Sequence, residues 1–394
     1  MKKPILLLAF FLAVTPSLCR AAGPGNPVWV RKVAAFRKAD ILREASWAMR
    51  QQPVTITATL CDRSAGGKHD FYSEGDYWWP DPKNPEGPYI RRDGETNPDN
   101  FVAHRHAMIR FSTIVGDLAA AYLITHDQKY VTQALRHIYA WFRDTATMMN
   151  PDLRYAQAIH GITQGRGIGI IDTIHLMEVA QAIYLFEQAG LIPPEGLAAI
   201  KSWFGDYIRW LMTSKNGQDE MKAKNNHGTC WVMQVASFAK VTADTSVLGF
   251  CRRRYEQVLL PDQMAADGSF PLELARTKPY GYSLFNLDAM TTICQILSDR
   301  KHDLWSFSTS DGRSIGRAIR FMFPYVKNKQ QWPKPPDVMF WKYWPVAQPF
   351  LVFGSAAYDN SGYFKLWEKL NHDPKEAEII RNLPVRHPLI WMWQ

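Results

Sequence analysis

The run Ala107-Met108-Ile109-Arg110-Phe111-Ser112-Thr113-Ile114-Val115-Gly116-Asp117-Leu118-Ala119-Ala120-Ala121-Tyr122 decides the fold. Within it Ala107, Phe111, Ile114, Leu118 and Tyr122 recur at steps of four and three, which sets apolar side chains along one face of an α-helix. Leu135, Ile138 and Phe142 carry the pattern into the next segment. Leu176, Val179, Ile183 and Phe186 form a third stripe, stopped by Gly190 and Pro193-Pro194. Ile200, Phe204, Tyr207 and Leu211 form a fourth. The same reading predicts helices over 229–242, 245–259, 284–299, 312–325 and 356–371. Strand-like alternation is confined to Val54-Thr55-Ile56-Thr57-Ala58. Antiparallel helix hairpins joined by short loops, with weak repetition at roughly 45–55 residues, predict an all-α chain built as an α/α toroid.

Three long irregular stretches, 61–100, 150–172 and 261–283, interrupt the helices. Loops of that length inside a compact domain are usually functional. In a toroid they gather at one end and line a cleft.

The chain opens with Met1-Lys2-Lys3 and an apolar run from Pro4 to Val14, followed by Ala21 and Ala22. A basic start, an apolar stretch too short to span a bilayer and small residues after it predict a signal peptide over 1–21, with cleavage after Ala21. The expected location is therefore periplasmic or secreted, with no membrane attachment after cleavage. Leu18 is too bulky for a lipid anchor on Cys19. Residues 22–394 show no Gly/Ser linker and no low-complexity tract, so they are expected to form a single domain. Net charge is +9, roughly +6 once the leader is removed. In an exported protein that balance points to an acidic partner and away from nucleic acid. Fifteen Trp, sixteen Tyr and twenty Phe exceed what a core needs, and aromatic faces stack on sugar rings. Cys61, Cys230, Cys251 and Cys294 have no zinc-ligand spacing. They leave both one or two disulfides and four buried thiols open.

Chemistry-bearing residues cluster in the loops. Lys224-Asn225-Asn226-His227 and Glu273-Leu274-Ala275-Arg276-Thr277-Lys278-Pro279-Tyr280-Gly281-Tyr282 combine an amide, an imidazole, a guanidinium and two phenols. Such groups suit proton abstraction beside a sugar carboxylate: Asn or Arg neutralises the anion, and His and Tyr move protons. One Asn suffices to cap a helix starting near Thr229; the second Asn and the His exceed that need. In the first loop, Tyr77, Trp78 and Trp79 offer stacking faces, and His69 beside Asp70 resembles a base with its orienting carboxylate. In the second, His160 is a candidate substrate contact. Arg166, set between Gly165 and Gly167, is placed for an anion, with the glycines of the loop allowing close backbone approach. Gly-x-Gly-x-x-Gly is absent, so no dinucleotide is expected. No acidic calcium-binding cluster is present, and no metal or other cofactor is expected.

Asn225-Asn226-His227, Asp267-Gly268-Ser269-Phe270-Pro271-Leu272-Glu273-Leu274-Ala275-Arg276 and Tyr282-Ser283-Leu284-Phe285-Asn286-Leu287 resemble the alginate lyase family of polysaccharide lyases. Gly75-Asp76-Tyr77-Trp78-Trp79-Pro80 and Gly165-Arg166-Gly167-Ile168-Gly169 add to the likeness, which covers about residues 60–300. The resemblance implies an incomplete α/α toroid and cleavage of a uronate polymer by β-elimination. It places the family's Asn-His motif on Asn226 and His227, its carboxylate-binding Arg on Arg276, and its catalytic Tyr on Tyr282, with Tyr280 as the fallback. Thr277-Lys278-Pro279 stands where some alginate lyases carry an Arg-rich run. The Tyr77-Trp78-Trp79 loop is similar to a subgroup with glucuronan-active members, polysaccharide lyase family 38, so alginate and glucuronan both stand as substrates.

The expected mechanism has Asn226, with Arg276 or Arg166, hold the C6 carboxylate. His227 or Tyr282 takes the C5 proton, and Tyr282 donates to the departing O4. A phenol acting as base must be made more acidic, which Arg276 or Lys278 could do. Lys278, Tyr280, Asn225, His69, His160, Arg166 and the three loop aromatics complete the expected substrate contacts. Two rivals follow from the same residues. A glycoside hydrolase would need two of Asp76, Asp172, Glu273 and Asp288 to flank a cleft. A non-catalytic polyuronate-binding protein would use the aromatics alone.

Overall fold

The computed structural model describes residues 26–393. The expected leader, 1–21, lies outside the described residues. Sixteen α-helices are assigned among those residues. The first eight are α1 Pro27–Ala48, α2 Ala103–Thr125, α3 Gln128–Phe142, α4 Leu176–Gln188, α5 Pro194–Thr213, α6 Lys215–Met221, α7 Asn226–Thr242 and α8 Thr245–Arg254. There follow α9 Leu260–Gln263, α10 Pro271–Leu274, α11 Pro279–Leu297, α12 Ile315–Lys327, α13 Pro349–Ala357, α14 Ser361–Trp367, α15 Ala377–Arg381 and α16 Pro388–Met392. The strands are short: β1 Tyr72–Glu74 pairs in parallel with β4 Tyr155–Ala158, and β2 Trp78–Trp79 pairs antiparallel with β3 Ile90–Arg91.

Helices α2, α4, α7, α11 and α13 pack in succession as an inner layer. Helices α1 and α3 back α2, α5 and α8 back α7, and α12 backs α11 and α13, while α14 packs on α13. The inner helices are buried nearly all round, as α11 shows from Pro279 to Leu297, which is the burial expected of a helix with neighbours on every side. Helix α16 packs against α1, α2, α4, α11 and α13 and closes the middle of the open ring. Gln181 of α4 and Gln295 of α11 donate to the Ile390 and Trp391 carbonyls of α16, satisfying chain-end groups that the core would otherwise strand. This is the incomplete α/α toroid. By length and composition α2 is apolar enough to cross a membrane, but it lies between α1, α3 and α4 as a core helix.

The stripes read from the sequence fall on α2, α3, α4 and α5. Four expectations need correction. Val54–Ala58 is not a strand: Thr55 caps a 3₁₀ turn at Ile56–Ala58, its Oγ1 accepting from Thr57 N. The helix expected over 356–371 is two helices, because Asp359 takes a left-handed φ of 48° and Asn360 caps α14. The helix over 245–259 ends as α8 at Arg254 and widens into a π turn at Tyr255–Leu259. Helix α11 starts at Pro279 rather than Leu284. Proline suits the first helical position, and Asp337 accepts from the Tyr280 and Gly281 N–H groups at 2.8 Å each. Among the described residues Cys61, Cys230, Cys251 and Cys294 are free thiols, the last three buried.

Candidate active site

The long loops, the starts of α7 and α11 and the segment after α14 meet around a cavity of about 210 Å³. Its wall includes Tyr77, Trp78, Gln157, Arg166, Asn225, Asn226, His227, Arg276 and Tyr282, with Arg381 and Asn382 from the C-terminal side.

Asn225 is the N-cap of α7, its Oδ1 accepting from His227 N at 3.4 Å. Asn226 is held from the opposite loop: Glu273 accepts its backbone N–H at 2.7 Å and its Nδ2 at 2.8 Å. Burial raises the Glu273 pKa against these bonds. His227 places Nδ1 2.7 Å from Glu220 Oε1, a carboxylate from the end of α6. With the Nδ1 proton directed at Glu220, Nε2 carries a lone pair, which is the tautomer of a general base.

Across the cavity the Tyr282 hydroxyl lies 2.8 Å from the Tyr77 hydroxyl and accepts from Arg276 Nη2 at 3.2 Å. Arg276 also makes a two-pronged pair with Asp93, at 2.8 and 3.1 Å. Asp93, which Arg91 also pairs at 2.6 Å, ties the Arg276 guanidinium down, so it holds a phenol in place rather than standing as a vacant carboxylate site. Burial drives the Tyr282 pKa well above its ordinary value; Tyr77 adds to the rise, and Arg276 pulls the other way without cancelling it. The expectation that the nearby cations, Arg276 or Lys278, make Tyr282 acidic enough to serve as a base is thus corrected: burial outweighs their pull, and Tyr282 keeps its proton.

Among the described residues Arg166 has no carboxylate within ion-pair distance, although burial already lowers its pKa. Its Nη2 donates to Gln157 Oε1 at 2.9 Å, and its guanidinium lies 5.8 Å from the Trp78 ring. Gln157 holds a left-handed φ of 50°, its side chain also donating to Asp172. The glycines around Arg166 serve packing rather than a ligand. A Cβ on Gly167 or Gly169 would lie 2.7 Å from the Asn216 carbonyl or 2.5 Å from the Ala156 carbonyl.

Several expected contacts lie elsewhere. Tyr280 is fully buried, its ring edge-on to Trp332 and Trp341 and its hydroxyl donating to the Tyr325 carbonyl. Two residues apart on a helix point to different faces, so Tyr282 faces the cavity and Tyr280 the core. Lys278 is 5% exposed and paired with Glu378 at 2.6 Å, behind the phenols rather than beside a substrate. His69 places Nδ1 2.6 Å from the Met148 carbonyl as a loop anchor, and Asp70 accepts from Asn150 and Gly67 instead of orienting it. His160 packs at a tilt against Tyr89 and lines a separate surface cleft. Trp79 spends its Nε1 on the Glu95 carbonyl and lies under Arg92.

The sequence reading missed Gln157, Glu220, Asp93, Arg381 and Asn382. Each acts through a partner or neighbour distant in the chain or from an unpatterned segment, apart from Glu220, seven residues before His227. The hydrolase rival loses its carboxylates. Asp76 is paired with Arg105 at 2.7 Å and Arg381 at 3.2 Å, which hold its pKa low against burial. Asp172 accepts from Ser73 and Arg105, Glu273 is bound to Asn226, and Asp288 accepts from Phe350 N in the core. The group best spaced for a metal among the described residues is Glu44, Asp117 and His387. It lies outside this cavity, with His387 Nε2 2.7 Å from Asp117 and Glu44 facing Arg37.

The alginate lyase family model matches residues 56–332. Among solved structures, an alginate lyase from Bacteroides ovatus is 30% identical, with 95% of this chain and 99% of that chain covered and a TM-score of 0.78. Alginate lyase A1-III with a histidine changed to alanine, complexed with a tetrasaccharide, shares the fold at 17% identity, with 89% and 90% covered and a TM-score of 0.58. Alginate lyase A1-III from Sphingomonas species A1 does so at 18%, with 82% and 87% covered and a TM-score of 0.52. No curated protein matches the sequence. The matched span carries the Asn226–His227 turn, Arg276 and Tyr282 on one toroid, and the chain belongs to the alginate lyase family, as a polysaccharide lyase.

Proposed function

We propose that this enzyme cleaves a polyuronate by β-elimination, with alginate its first substrate and glucuronan the second. One observation carries the reading. A histidine whose Nδ1 is fixed by Glu220 shares one cavity with a protonated Tyr282 and with Arg166, a guanidinium lacking its own carboxylate. Arg166 and Asn226 neutralise the C6 carboxylate, which acidifies C5. His227 Nε2 takes the C5 proton, and the C–H electron pair forms the C4–C5 double bond as the C4–O4 bond breaks. Tyr282 gives its proton to O4. The imidazolium and phenolate then return to their starting states through water, so the reaction consumes no net proton. Tyr77 and Trp78 border the sugar. The residues that hold the carboxylate are an amide donor and a guanidinium, not a cluster of oxygen ligands placed for calcium, so this mechanism needs no metal. Residues 22–394 act as one unit, exported by the leader at 1–21 to where an extracellular polymer is met.

The test is incubation with polymannuronate, polyguluronate and glucuronan while following the ultraviolet absorbance of unsaturated uronate. Absorbance growth on at least one polymer, unchanged by EDTA, is expected. Chain shortening without absorbance would restore the hydrolase, and loss with EDTA reversed by calcium would overturn the metal-free mechanism.

A further inference from the structure

A cation behind the two phenols has no part in the mechanism above. Lys278 Nζ lies 5.1 Å from the centre of the Tyr77 ring and 5.3 Å from that of Tyr282. It is buried away from the cavity, donates to Glu378 Oε1 at 2.6 Å, and has Phe340 on a further side at 5.4 Å. The charges facing the phenols come from four segments. Arg276 reaches Tyr282 and pairs with Asp93, which Arg91 shares. Lys278 is balanced by Glu378. Glu378 is shared with Arg381 at 3.1 Å, and Arg381 reaches Asp76. Sequence shows Lys278 as a departure from an Arg-rich run, and the structure shows what stands there: a buried ion pair with no access to substrate.

A buried ion pair is poorly explained by stability alone, since desolvation offsets much of its attraction. Its effect on a neighbour is larger. A cation about 5 Å from a phenol favours phenolate, and a carboxylate nearby disfavours it. We propose that the Lys278–Glu378 pair sets the proton affinity of the Tyr77–Tyr282 phenols. Lys278 stabilises the phenolate left when Tyr282 gives its proton to the leaving oxygen. Glu378 offsets part of that pull, so that Tyr282 holds its proton until the C4–O4 bond breaks. Both act through the phenols and are positioning residues. The inference rests on Tyr282 as the acid.

The experiment changes the two charges separately and reads the phenol directly. Tyrosinate absorbance is titrated in Glu378→Gln, Lys278→Met and the unchanged protein, each as a difference from its Tyr282→Phe counterpart. Circular dichroism checks the fold. Glu378→Gln moves Tyr282 ionisation down by about one pH unit and Lys278→Met moves it up by about one. The alkaline limb of kcat on the cleaved polymer follows in the same directions. A merely structural pair would weaken both variants without moving the titration in opposite senses. Should one single variant fail to fold, the Lys278→Met/Glu378→Gln double carries the test: its ionisation returns close to that of the unchanged protein, about one pH unit away from the surviving single variant, and a value equal to that variant's overturns the proposal. Shifts in the same direction, or no shift, overturn the proposal. Because the titration needs no substrate, opposite shifts without unsaturated product would sink the lyase reading and not the electrostatic one.

Discussion

At the scale of single residues, the difference between Tyr280 and Tyr282 is the sharpest consequence of the fold. The expected outcome of Tyr282→Phe is a fall in turnover of about a hundredfold or more, the usual scale for a lost proton donor, with the fold retained and the melting temperature lowered by only a few degrees. Tyr280→Phe should leave turnover near normal and lower stability by about 1 kcal/mol, because its hydroxyl bonds a carbonyl in the core. A reversal of the two in paired kinetic and melting measurements would move the catalytic role. For Asn226→Ala and His227→Ala, kcat should fall more than KM, since contacts to a carboxylate that gains charge strengthen on the way to the transition state. Steady-state kinetics showing changes in KM alone would reduce both residues to binding groups.

At the scale of elements, helices with one apolar stripe were legible, because a 3.6-residue period needs no knowledge of partners. Ala107 to Tyr122 and Leu176 to Phe186 are such cases. The start of α11 was not, because its capping carboxylate, Asp337, arrives from a loop more than fifty residues away. The Asn226–His227 and Arg276–Tyr282 pieces were legible as chemistry too dense for capping alone. Glu220, Asp93 and Arg381 were not, since their meaning lies in pairings formed by the fold. His69 and His160 misled for the same reason: a histidine in a loop carries no mark of where it faces. Helix α7 holds a further, separable feature. Lys240 buries its ammonium over the Tyr184 ring at 4.4 Å with no hydrogen-bond partner among the described residues, and burial lowers its pKa from 10.5 to about 7. The folded state thus binds fewer protons than the unfolded chain between those values, and stability should rise with pH from about 7 to 10.5 on its account. Lys240→Met should stabilise at neutral pH by about 1–2 kcal/mol and lose that advantage in alkali. Denaturant melts at two pH values check both halves.

At the scale of the whole molecule, net charge of +9 concentrates usefully only if a cleft collects it. Here Arg91, Arg166, Arg276 and Arg381 line the cavity, and among the described residues all but Arg166 pair with a carboxylate. A polyanion should bind less tightly as screening grows. KM should therefore climb with sodium chloride while kcat changes little, and a KM indifferent to salt would show that exposed charge does not recruit the substrate.

Arg381 and Asn382 stand in the cavity wall, and beyond them His387 donates its backbone N–H to Glu178 while Trp391 Nε1 donates to the same carboxylate. The wall is thus finished by a stretch that leaves the ribosome after every inner helix has been made. A nascent or prematurely terminated chain can hold Tyr282 and His227 yet lack the guanidinium that anchors Asp76 and the plug that fills the ring. A variant truncated after Trp367 is therefore expected to lose turnover on the cleaved polymer while keeping His227 and Tyr282, and full turnover in that variant would show that Arg381 and the plug are dispensable.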